Sequence, residues 1–99
     1  MKIIARRQKD GKTTEAVEWV KEENDRYLVV TTEYEKRRVA NEFDLSLYKI
    51  FTWTDLWRGK IPKEKEMFFM LDNADHFLES FLCHREHRLG GITYTVYED

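Results

Sequence analysis

Apolar and polar positions come in alternating blocks along this chain. Short apolar runs at Lys2–Ala5, Tyr27–Thr31, Leu47–Thr52, Met67–Leu71 and Ile92–Tyr97 predict strands. Between them the apolar residues recur at helical spacing. Lys12–Glu23 puts Ala16, Val17, Trp19 and Val20 on one face, with Glu15, Glu18 and Glu22 off it. Glu33–Phe43 predicts a second helix with Val39, Ala40 and Phe43 inward. Thr52–Trp57 predicts a short helix capped by threonine, and Ala74–Leu82 a helix packing Phe77, Leu78, Phe81 and Leu82. The connecting loops are Arg6–Asp10 ending at Gly11, Asn24-Asp25, Arg58–Glu66 around Gly59 and Pro62, and Gly90-Gly91. Met67–Leu71 carries no polar residue, so it predicts a strand buried on both faces.

Strands alternating with helices imply right-handed βαβ units and a parallel sheet. The expected fold is α/β, one three-layer domain over residues 1–99 with a mostly parallel five-stranded sheet. Its core should hold Ile3, Ile4, Leu28, Val29, Val30, Phe69, Met70 and Leu71. The first strand should lie between the strand ending at Asp72 and the Ile92–Tyr97 strand. That order sets Gly11 and Asp72 side by side at one edge of the sheet.

Composition narrows the classes. The 99 residues suffice for one core, and 41% hydrophobic content supplies it. Seventeen basic and 19 acidic side chains leave a net charge of −2, which argues against clamping DNA by bulk positive charge. The one cysteine, Cys83, excludes an intramolecular disulfide and fits a reducing, cytoplasmic setting. No segment approaches the ~20 apolar residues of a membrane span, and the apolar run after Met1 is too short for a signal peptide.

The candidate chemistry sits between the first strand and the first helix, in Arg-Arg-Gln-Lys-Asp-Gly-Lys-Thr-Thr. Gly11-Lys12-Thr13 is the second half of G-x-x-x-x-G-K-[ST], a loop whose backbone amides cradle phosphates. Glycine lets backbone approach the phosphate, and the helix N-terminus offers N–H groups and a positive dipole end. Lysine brings a mobile charge, and threonine a hydroxyl for Mg²⁺. Arg6 stands where the first glycine belongs, so the loop takes another path. A second piece, Met-Phe-Phe-Met-Leu-Asp-Asn-Ala-Asp-His, ends an apolar strand in Asp72. Open α/β sheets bind ligands at the carboxyl ends of their strands, where a carboxylate can hold magnesium.

In these pieces the chain resembles the P-loop ATPases, as a truncated core of the group that includes superfamily 2 helicases and phage terminase large subunits. Arg7-Gln8 and Gly11-Lys12-Thr13-Thr14 resemble their P-R-Q-x-G-K-T-T loop, with one residue more between Gln8 and Gly11. Asp72-Asn73-Ala74-Asp75-His76 matches four of five places of the D-E-A-D/H box. Tyr27–Ala40, Phe51–Lys60 and the Ile92-Thr93-Tyr94-Thr95 stretch resemble the segments at corresponding places.

The resemblance implies an ATP- and Mg²⁺-binding protein of phage or mobile-element type. Gln8, Asp10, Gly11, Lys12, Thr13 and Thr14 would contact nucleotide, and Thr13 and Asp72 would hold the metal. Asn73 and Asp75 would stand on the water side. Asn73 replaces the glutamate that activates the attacking water, and asparagine cannot take that proton. The chain also ends after the fifth strand, without an identifiable arginine finger, although Arg85 or Arg88 could act across a subunit boundary in a homo-oligomer. The expectation is therefore nucleotide binding with weak or absent hydrolysis. The competing expectation is a degenerate, non-catalytic scaffold acting through a protein or DNA partner.

Three other features carry less. Cys83, His84 and His87 lack a fourth ligand for a zinc site, His76 being two turns away. Trp53, Leu56 and Trp57 read as packing or a cover over the sheet. Lys36-Arg37-Arg38 and Arg58-Gly59-Lys60 are basic spots, solvated or near a nucleic-acid strand.

Overall fold

A computed structural model describes residues 4, 11–62, 66–80, 90 and 93. The element order is α1 (Lys12–Glu22), β1 (Arg26–Val30), α2 (Glu33–Phe43), a 3₁₀ turn (Leu47–Lys49), β2 (Ile50–Thr52), α3 (Trp53–Trp57), β3 (Phe68–Leu71) and α4 (Ala74–Ser80). The class is α/β, with a small parallel sheet. Its order is β2-β1-β3, so the chain goes out from the central strand to one side and returns to the other. The five-stranded expectation finds three strands among the described residues. The predicted first and last strands lie outside them, except for Ile4 and Thr93.

Hydrophobic pattern decides each element's position. Leu28 pairs with Ile50 and Met70, and these residues, with Val30, point to one face of the sheet. There they meet Ala16, Val17 and Val20 of α1 and Val39 of α2, with Leu45 closing the cluster and Ile4, Trp19, Ala40 and Phe43 packed at its rim. The other face carries Tyr27, Phe51 and Phe69, whose rings meet at 5.7–6.0 Å. Tyr27 through Val30 are all buried, so the central strand is covered on both faces. Arg26 locks the turn from α1 into β1. Its guanidinium donates to the Trp19 carbonyl and to Glu22, and lies 4.4 Å from the centre of the Trp19 ring.

Three expectations need correction. The predicted strand at Leu47–Thr52 shortens to Ile50–Thr52, because Ser46 Oγ accepts from the Tyr48 N–H and draws the chain into a 3₁₀ turn. The strand expected to be buried on both faces is β3, yet Phe68 and Leu71 are 46% and 45% exposed. Among the described residues β3 pairs with β1 alone, so its apolar run does not report two covered faces. Leu71 thus leaves the expected core, whereas Leu28, Val29, Val30 and Met70 stay in it. Finally, the tryptophan pair is only partly covered: the Trp53 and Trp57 rings lie 6.0 Å apart, and Trp53 packs 5.1 Å from Phe77, yet Trp57 is 73% exposed. Leu78 of α4 is also exposed rather than packed.

Candidate functional site

In a parallel sheet every strand ends at the same edge, so residues following β1, β2 and β3 gather there. At β3 the chain leaves the sheet after Leu71, with Asp72 N–H donating to the Val29 carbonyl at 2.9 Å. This bond fixes Asp72 beside the end of the central strand. Its side chain is 5% exposed. Thr13, second residue of α1, donates its hydroxyl to Asp72 Oδ2 at 3.1 Å, across 59 positions of sequence. The glycine-lysine-threonine turn and the aspartate at the strand end are therefore in direct contact.

Gly11 begins α1 with φ 82° and ψ 18°, left-handed backbone that favours glycine. It has no side chain with which to cap the first-turn amides, and among the described residues a Cβ there would meet nothing within 4 Å. Lys12 and Thr13 are half-buried and Thr14 is exposed. Gln8 and Asp10 of the predicted loop lie outside the described residues.

Burial pushes the Asp72 carboxyl up from its ordinary value, because a charge in that position loses its water. The Thr13 hydroxyl and the Lys12 ammonium pull it back, as does Arg38, while Glu35 pushes it further up. A hydroxyl and a carboxylate at one point, both hard oxygen donors, fit a small divalent cation that keeps waters and substrate oxygens as its other ligands. Among the described residues no three His, Cys, Asp or Glu side chains cluster as a metal site, so an all-protein cage is not what this geometry offers.

The residues expected on the water side behave differently. Asn73 has φ 58°, and its carbonyl accepts from the His76 and Phe77 N–H groups to start α4. Asparagine tolerates left-handed backbone better than glutamate, so the turn itself gives a reason for its presence. Asp75 is 55% exposed, with its carboxylate 3.7 Å from His76. The Cys83, His84 and His87 group and Arg85 and Arg88 lie outside the described residues.

Sequence reading missed the contribution of α2. Thr32 Oγ1 accepts from the Glu35 N–H and caps this helix just beyond β1. Arg38, read as part of a basic spot, is bound on both sides. Its Nη2 donates to Glu35 Oε2 at 2.8 Å and its Nη1 to Glu42 Oε2 at 2.8 Å. The Glu35 bond, foremost, holds the Arg38 guanidinium above its usual range. The i, i+3 and i, i+4 spacing of these acids was a legible signal. At β2, Thr52 and Asp55 form a reciprocal capping box, and the Thr52 N–H holds the Asp55 carboxyl below its ordinary value, helped by Lys36 and Lys60.

No protein-family model, curated protein or solved structure matches this chain. The fold and the edge define an α/β protein with a small parallel sheet and a polar cluster at its carboxyl edge.

Proposed function

We propose that this protein binds a nucleoside triphosphate, ATP or similar, with Mg²⁺ at the carboxyl edge of the sheet, and that it hydrolyses it weakly or not at all. The observation that carries the reading is the Thr13–Asp72 hydrogen bond. It joins a helix-start hydroxyl and a buried carboxylate, the two hard donors a phosphate-bound magnesium requires. In this reading Gly11, Lys12 and the first-turn amides of α1 receive the phosphates, Gln8, Asp10 and Thr14 complete the nucleotide contacts, and Thr13 and Asp72 hold the metal. The reading is of a P-loop-type protein of phage or mobile-element kind, resting on the resemblance of its loop and strand-end motifs to helicase and terminase ATPases. Asn73 cannot serve as a base, which limits turnover.

Calorimetry with ATP and Mg²⁺ tests this on the wild type and on Lys12→Ala. A charge-assisted hydrogen bond to an anion is worth about 1.5–3 kcal/mol, so the variant should lose about tenfold or more in affinity while keeping its fold. Equal affinity in both would sink the reading. No binding by the wild type would favour a scaffold acting through protein or DNA contacts, for which the exposed Trp57 beside Arg58 and Lys60 offers a surface.

A further inference from the structure

The four helices start at the carboxyl edge in two different ways. α2 and α3 begin from Thr32 and Thr52, whose backbone is extended, with φ −138° and −94°, and whose hydroxyls accept a first-turn N–H. That is the usual way to open a helix. α1 and α4 begin from Gly11 and Asn73, at φ 82° and 58°. These two helices flank the Thr13–Asp72 pair, one carrying Thr13 and the other following Asp72. Building on the nucleotide-binding reading, we infer that Asn73 is a positioning residue of this site: its left-handed turn, not its carboxamide, aims the Asp72 carboxylate at Thr13.

Among the described residues Asp44 is the other non-glycine residue with positive φ. It closes α2, where a left-handed residue commonly ends a helix. Asn73 opens a helix, so termination does not account for its backbone. The bonds on either side of it do. Asp72 N–H donates to the Val29 carbonyl, one step past the last register pair of Val29 and Leu71. The Asn73 carbonyl accepts from the His76 and Phe77 N–H groups at 2.9 and 3.4 Å. One residue therefore carries the chain from the ladder into α4. Phe77 then seats that helix, buried and with its ring 5.1 Å from Trp53.

With the ladder fixing one flank and α4 the other, the Asp72 backbone has one orientation. Its side chain is buried, with Oδ2 3.1 Å from the Thr13 hydroxyl. Magnesium demands near-ideal octahedral geometry, so it tolerates little misplacement of a donor oxygen. A residue that resists φ near 58° relaxes the turn and swings the carboxylate away. Glycine enters left-handed backbone freely, and asparagine does so more readily than most. Glutamine and glutamate meet the steric clash in full. Position 73 therefore disfavours glutamate for a backbone reason, independent of any proton transfer.

Two substitutions separate the turn from the side chain. Asn73→Gly keeps the turn and removes the carboxamide, whereas Asn73→Gln keeps the carboxamide and removes the preference for the turn. Calorimetry measures ATP affinity with Mg²⁺ and with the metal chelated by EDTA, and the ratio of the two reports the metal ligands. A left-handed penalty on an ordinary residue corresponds to roughly 5- to 30-fold. The ratio should therefore fall about fivefold or more in Asn73→Gln and stay within about twofold of wild type in Asn73→Gly. A merely structural role lowers the thermal midpoint and leaves the ratio alone. Asn73→Ala should lose less than Asn73→Gln, and it serves if that variant does not fold. An unchanged ratio in Asn73→Gln overturns the inference, as does a loss in Asn73→Gly, which would assign the role to the carboxamide. Amide hydrogen exchange on the nucleotide-free protein, followed by NMR, reads the positioning separately. The Asp72 N–H should exchange faster in Asn73→Gln than in wild type or Asn73→Gly, and equal exchange in all three also overturns the inference. If the wild type binds no ATP, or binds it without magnesium dependence, the nucleotide reading falls and the exchange result alone decides whether the turn positions Asp72.

Discussion

At the scale of single residues, Asp72 shows most clearly how burial works against a charge. Its carboxylate is buried, and burial raises its affinity for a proton. A carboxyl raised in the folded state contributes stability that is complete below its unfolded value, near 3.9, and is lost as pH rises through the folded one. At neutral pH the ionised group therefore weakens the fold. Asp72→Asn keeps the shape and can still accept from the Thr13 hydroxyl. It should raise the thermal midpoint at pH 7 without added magnesium, and the gain should shrink as pH falls through the raised folded value, where the aspartate itself becomes neutral. A lower midpoint for the variant at pH 7 would contradict the burial argument. Gly11 and Asn73 add a second lesson at this scale. Both flank the site with left-handed backbone, and each residue type suits that conformation apart from any chemistry it performs.

At the scale of elements, the caps set where the edge residues stand. α2 starts at Thr32 and α3 at Thr52, each through a threonine hydroxyl that accepts from a first-turn N–H. Thr32→Ala removes one such cap and should cost about 1 kcal/mol, read as a lower denaturation midpoint at unchanged slope. It should also loosen Glu35, whose N–H the cap holds. The extent of α2, Glu33–Phe43, was legible from apolar spacing. The edges of β2 were not, because Ser46 competes with the ladder for the backbone in a way that apolar pattern does not encode. Nor was the exposure of Trp57, since a helix of five residues has too few turns to show a face.

At the scale of the molecule, the central strand joins the two layers of packing. Leu28 is fully buried at the meeting of β1, β2, β3 and the helices that cover them. Leu28→Ala should cost about 2–5 kcal/mol, against the roughly 5–15 kcal/mol by which small domains are stable. The measurement is a denaturant titration, and a loss under about 1 kcal/mol would show that this cluster is not the core. Among the described residues no helix is long and apolar enough to cross a membrane.

What the sequence determined by itself was local. Apolar period told helix from strand, glycine and threonine marked where α1 and α3 begin, and the aspartate closing an apolar run marked a strand end. These follow from backbone sterics and side-chain burial, which act over a few residues. The tertiary structure alone decided the rest. The β2-β1-β3 order brought Thr13 within 3.1 Å of Asp72. Such contacts join residues far apart in the chain, and they depend on how strands pair and cross over. Short-range pattern carries no record of that pairing.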